Sequence, residues 1–167
     1  MELPDEQQMI TEATAQRAGA ASGTRGAASG ARRGMRFTKL DAREFDLTSG
    51  LEPSAALALA QRVLEQAGGA AHATAGTSGT AGATDEAVAL RGLFGVGMGG
   101  LNPAAVTFTV RPHAGGPGAP ESAGSAVHVR TAALEGLIKQ RGARKAADRV
   151  TELWTANDPG ARLDPGH

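Results

Sequence analysis

Residues 125–154, SAVHVRTAALEGLIKQRGARKAADRVTELW, decide the fold, because here a strand pattern runs into a helix pattern with no long Gly/Pro-rich interruption. Val127 and Val129 alternate with His128 and Arg130, the period of two of a strand with one buried face. Further on, Ala143, Ala146, Ala147, Val150, Leu153 and Trp154 fall on one helical stripe. Arg144, Lys145, Asp148, Arg149 and Glu152 fill the opposite side. Between the two patterns, Glu135 and Lys139 have the favourable i, i+4 order for a helix, whereas Gly136 and Gly142 oppose it. The pattern predicts a helix over 132–155 with a kink or restart at Gly142.

Working outward, residues 105–111 alternate Val106, Phe108 and Val110 with Thr107, Thr109 and Arg111, a second strand, and 87–93 reads as a third. Residues 44–48 supply the first strand, with Phe45 and Leu47 on one face and Glu44, Asp46 and Thr48 on the other. After the Ser49-Gly50 turn, Pro53 occupies a helix start. Ala56, Leu57, Ala60, Val63, Leu64 and Ala67 then share a face, and Gly68-Gly69 stops the helix. The run AAHATAGTSGTAGAT has no period and reads as a long surface loop. Residues 1–34 hold few large apolar side chains, so they cannot offset the entropy of ordering and are expected to be a disordered tail. Residues 35–157 are then a single domain and 158–167 a frayed end. Met35 follows the low-complexity run directly, which makes a translation start near it an alternative to Met1. The expected fold is α+β in two layers: a mostly antiparallel four-stranded sheet with two helices on one face, in the order strand-helix-strand-strand-strand-helix.

The 167 residues carry 17 basic and 17 acidic side chains, and both the tail and the rest are close to balance. That balance argues against a polyanion partner such as nucleic acid. With no cysteine, disulfides, thiol nucleophiles and cysteine-based zinc sites are excluded, and a cytoplasmic location is expected. MELPDEQQ has no apolar signal region. Residues 92–110 are uncharged over about the length of a membrane span, yet their glycines and the Asn102-Pro103 pair favour a loop plus a strand, and no membrane association is expected.

No constellation marks a reaction. Gly95-Val96-Gly97-Met98-Gly99-Gly100 fits G-x-G-x-x-G, but a β-rich run follows it where a phosphate-binding fold needs a helix. Ser78 lacks the G-x-S-x-G elbow. Asp41, Glu44 and Asp46 are acidic neighbours with nothing to single out a proton-transfer role. His72, His113, His128 and His167 are far apart, so neither a metal nor a cofactor is expected. Two groups of residues remain as candidates. Lys139, Arg141, Arg144 and Lys145, near the start of the last helix, could hold a phosphate or carboxylate, or else form a solvated helix face. Arg91, Arg111, His128 and Arg130 share the outward sheet face with Glu44 and Asp46, as a partner surface or as a ladder of cross-strand charges.

The order PSAALALAQRVLEQAGG after a first strand, then VTFTV, SAVHVRT and the closing ARKAADRVTELW, resembles a shortened helix-grip domain of the START or Bet v 1-like superfamily. The resemblance covers about two thirds of the chain. It implies an antiparallel sheet around a long final helix and an apolar ligand, although the chain offers four strong strands where that family has six or seven. Two functions follow as expectations. One is a non-catalytic binding or assembly module, able to form a homo-oligomer. The other is a small-molecule-binding, potentially enzymatic, domain for an apolar or anionic ligand.

Overall fold

The computed structural model describes residues 5–35, 38–67, 71–77, 87–96, 102–113, 124–135 and 141–164. In chain order these form α1 (Glu6–Ser22), α2 (Arg25–Met35), β1 (Lys39–Ser49), α3 (Pro53–Gln66), β2 (Ala71–Thr77), β3 (Val88–Val96), β4 (Asn102–His113), β5 (Gly124–Glu135), α4 (Gly142–Asn157) and β6 (Arg162–Leu163). All strand pairs are antiparallel, in the sheet order β2-β3-β4-β5-β1-β6. The fold is therefore α+β, but with more strands and helices than the sequence pattern predicts.

The main core lies between α3, α4 and one sheet face. Val106, Phe108 and Val110 of β4 and Val127 and Val129 of β5 point into it, as their alternation requires. From the helices come Ala56, Leu59, Ala60, Val63 and Leu64, and then Ala143, Ala146, Val150 and Trp154. Trp154 is 0% exposed and stacks on Phe108 with ring centroids 5.7 Å apart.

Within the tail expected over 1–34, Glu6–Ser22 is helical, and a second helix, Arg25–Met35, follows it. Asp5 caps α1 by accepting a hydrogen bond from the Gln8 amide at 2.8 Å. Gly23 ends the helix at φ +66°, a left-handed conformation that costs little without a Cβ. Arg32 closes α2 back onto α1 with a two-pronged hydrogen bond to Glu12, which holds the Glu12 carboxyl below its ordinary pKa. Ala-rich composition favours the helical state without any need for large side chains. Ile10, 1% exposed, meets Ala105 and Ala132 on the sheet face opposite α3 and α4. The sheet thus has helices on both faces, where two layers were expected.

The other corrections have similarly local causes. Residues 71–77, expected as loop, form β2 against β3, with a register shift between His72 and Gly76. The first strand starts at Lys39, ahead of 44–48. The last long strand runs on to Glu135 because Ala132, Ala133 and Leu134 pair with Ala42, Asp41 and Leu40. This pairing overrides the helical preference of TAALE. Residues 132–135 are consequently strand, and the helix expected over 132–155 is present from Gly142, the position expected as a kink or restart, as α4. Residues 158–164, expected to fray, are held by β6 and by the Asp164 amide donating to the Asp46 carbonyl at 3.0 Å. Buried Ser49 donates to Asp158 at 2.6 Å and ties the end of β1 to the end of α4.

A glycine is needed at position 142 because a Cβ there would lie 2.8 Å from the Ala133 Cβ. A helical Gly→Ala change ordinarily gains about 1 kcal/mol. Here overpacking should reverse the sign, so Gly142→Ala is expected to destabilise by about 1–2 kcal/mol, read as a lower denaturant midpoint. Combining it with Ala133→Gly should recover most of the loss.

Candidate functional site

On the face covered by α1, cross-strand pairing puts Arg91, Thr107, Arg130 and Glu44 in one row across β3, β4, β5 and β1. The next row along holds Leu93, Ala105, Ala132 and Ala42. Glu6 lies over the first row and Ile10, one helical turn later, over the second. Glu6 takes Arg91 Nη2 at 3.2 Å and Arg130 Nε at 3.1 Å. Arg91 Nε donates to the Thr107 hydroxyl at 2.7 Å, and that hydroxyl donates to Glu6 at 3.4 Å. Arg130 also donates to Glu44. Burial works against the charge of Arg130, but its hydrogen bonds to Glu44 and Glu6 outweigh that and raise its pKa above the ordinary value.

Of the sheet-face candidates, then, Arg91 and Arg130 are brought together under α1. His128 pairs separately with Asp46 at 2.9 Å, and Arg111 is exposed opposite Ala126. α1 covers that face at Arg91 and Arg130, and the Glu44–Arg130 and Asp46–His128 pairs are cross-strand charge pairs of the ladder that was the alternative to a partner surface. Arg91 and Arg130 serve to dock a helix, since a carboxylate shared between two guanidiniums is already saturated with donors. Glu6 escaped sequence reasoning because it sits in the segment read as a tail. The available signal was that PAAVTF and VRTAAL carry small or apolar residues on both faces, as strands covered on two sides do.

The basic group near α4 is not gathered into a site. Lys139 lies outside the described residues, as do Gly97 to Gly100 and Ser78 of the other motifs. Arg141 holds a left-handed conformation at φ 53°, and Arg144 leans on Asp148 at 3.9 Å. Lys145 is exposed. The first α4 amide, that of Gly142, already donates to the Glu135 carboxylate at 3.1 Å, so this helix start has an anion of its own. Among the described residues no three His, Asp or Glu side chains converge as metal ligands. No helix among them is long and apolar enough to cross a membrane; residues 92–96 and 102–110 are strand.

The sheet ends in β2 on one side and, past the two-residue β6, in β1 on the other; among the described residues most of the outer edge of β1 is without a mate. β6 covers it at Leu47 and Thr48, and Asp164 reaches Asp46. Among the described residues, no backbone hydrogen bond occupies that edge over residues 39–45. The Asp46 carbonyl faces β6, whereas the Arg43 carbonyl faces β5, where the Thr131 hydroxyl donates to it at 3.4 Å. Antiparallel strands point both polar groups of a residue the same way and alternate along the chain. The N–H and C=O of Leu40, Ala42 and Glu44 therefore face outward. Lys39, Asp41, Arg43 and Phe45 flank this row of donors and acceptors on the α3/α4 side of the sheet. Such an edge can take another strand, with the charges choosing which. Among known proteins, the chain matches no family and no curated sequence, so the geometry of this edge is what its function is read from.

Proposed function

We propose that the chain is a non-catalytic binding and assembly module that engages its partner by strand addition along residues 39–45 of β1. The observation that carries this reading is the row of outward-facing backbone groups at Leu40, Ala42 and Glu44, beside a core filled by Phe94, Phe108, Leu59, Leu64 and Trp154. Of the charged candidates, Arg91 and Arg130 are spent on docking α1, and the start of α4 already has Glu135. A synthetic extended peptide of residues 38–46 is a suitable probe. Its binding should slow amide exchange at Leu40, Ala42 and Glu44 and leave Asp41 and Arg43, already bonded to β5, unchanged. Ala42→Pro removes an outward donor at a sheet edge, where proline is tolerated, and should abolish the effect. Exchange at those three amides that does not respond to saturating peptide counts against the reading.

A second reading, a ligand-binding domain of shortened helix-grip type, is favoured by two observations. The indole N–H of Trp154 is buried and, among the described residues, has no hydrogen-bond acceptor. The position of β1 beside β5, with α3 following β1 and α4 closing the chain, also supports it. The ligand would be apolar with one acceptor for that N–H. Since Trp154 is the single tryptophan, its fluorescence reports the interior directly. A saturable change with a long-chain ketone or fatty acid supports this reading, and an unchanged spectrum removes it.

A further inference from the structure

Resting on the reading of β1 as an assembly edge, we infer that its partner is a second copy of this chain, joined by antiparallel pairing of β1 with β1 about a two-fold axis through Ala42. Two independent features select that register. The first is the extent of the edge. Among the described residues it is free from Lys39, where the strand begins, to Phe45, next to the Asp46 carbonyl that Asp164 occupies. The midpoint of that stretch is Ala42, so two copies centred there fill each other's free edge and stop where β6 starts.

The second feature is charge. With Ala42 opposite Ala42, Asp41 of each copy faces Arg43 of the other, twice across the axis. Because the outward hydrogen bonds belong to even-numbered residues, these pairs fall at non-hydrogen-bonded positions, where side chains approach most closely. Lys39 then faces Phe45, a cation beside a ring face. Centring the axis on Asp41, Arg43 or Glu44 opposes that residue to its own like charge. Centring it on Leu40 pairs Lys39 with Asp41 but leaves Arg43 and Glu44 outside the seam. Among the described residues neither Asp41 nor Arg43 has an ion-pair partner within its own chain. Leu40 and Glu44 face each other across the axis and exchange backbone bonds on either side of the Ala42 pair. The two-fold axis stands perpendicular to the sheet, so both α3/α4 layers lie on the same side of one continuous sheet.

The test is light scattering on the full chain, up to about 1 mM, with charge-reversed variants. Wild type should dimerise. Asp41→Arg sets arginine against arginine at both facing positions and Arg43→Asp sets aspartate against aspartate at both, so each variant should weaken self-association by at least about tenfold. Mixing the two should restore a one-to-one dimer, because each Arg now meets an Asp. The double swap Asp41→Arg/Arg43→Asp should self-associate as wild type does. Restoration on mixing also shows that both variants are folded. If wild type dimerises and the single variants match it, the seam lies elsewhere and the β1 pairing is wrong. If wild type stays monomeric throughout, self-pairing is overturned, and the peptide-exchange experiment decides separately whether the edge takes any strand.

Discussion

Trp154→Ala is expected to lower the free energy of unfolding by about 3–5 kcal/mol, the usual cost of removing a large buried aromatic side chain from a core that cannot collapse around the gap. The ring is fully buried and stacked on Phe108 at an interplanar angle of 29°, so the change removes both its buried surface and an aromatic pair. The loss would fall on the contact between α4 and the centre of the sheet, where the surrounding Val106, Val129 and Val150 are held in strands and helix and have little freedom to move inward. Circular dichroism against denaturant measures it, since the variant loses its fluorophore. Trp154→Phe should cost clearly less than its lost volume suggests, because it also removes a buried N–H that has no acceptor among the described residues. A Trp154→Ala variant with an unchanged midpoint would contradict the packing of α4 described above.

The second large effect is expected at Glu6. Removing the carboxylate by Glu6→Ala leaves the Arg91 and Arg130 guanidiniums beneath α1 without their shared counter-ion, and breaking a buried pair from one side costs about 3–5 kcal/mol. The Glu6 and Arg91 side chains are 9% and 13% exposed, but Arg130 is 34% exposed and keeps Glu44. Water screens part of the loss, which brings the expectation to about 2–4 kcal/mol. The effect should appear as local opening: faster amide exchange over residues 6–22, with protection in α3, α4 and β4 retained. Equal loss of protection throughout the chain would mean that α1 belongs to the cooperative core and is not docked on it.

Large apolar side chains at regular spacing made α3, α4 and the central strands legible in the sequence, and with them the burial of Trp154. Where the residues were small, the signal failed. Ile10 and Ala15 bury completely in α1, but Ala, Gly and Ser spread around a helix leave no stripe to detect, so α1 and α2 read as disorder. β2 is hidden by the same chemistry. At residues 132–134, local preference and tertiary pairing disagree, and the ladder with β1 wins. The site divides in the same way: Arg91 and Arg130 were placed on the correct sheet face, whereas their partner Glu6 lay in the unreadable segment. The edge of β1 was invisible because which side of a strand lacks a neighbour is a property of sheet order, which no single stretch of residues encodes.

The clamp on α1 also has a consequence for the order in which the molecule is built. Glu6 waits for Thr107, 101 positions downstream, and for Arg130, 124 positions downstream. During synthesis from the amino terminus, the first helix must therefore leave the ribosome long before its docking rows exist. Contacts of such long sequence separation form slowly, which makes α1 a late arrival that settles onto a sheet already assembled by its later-made strands.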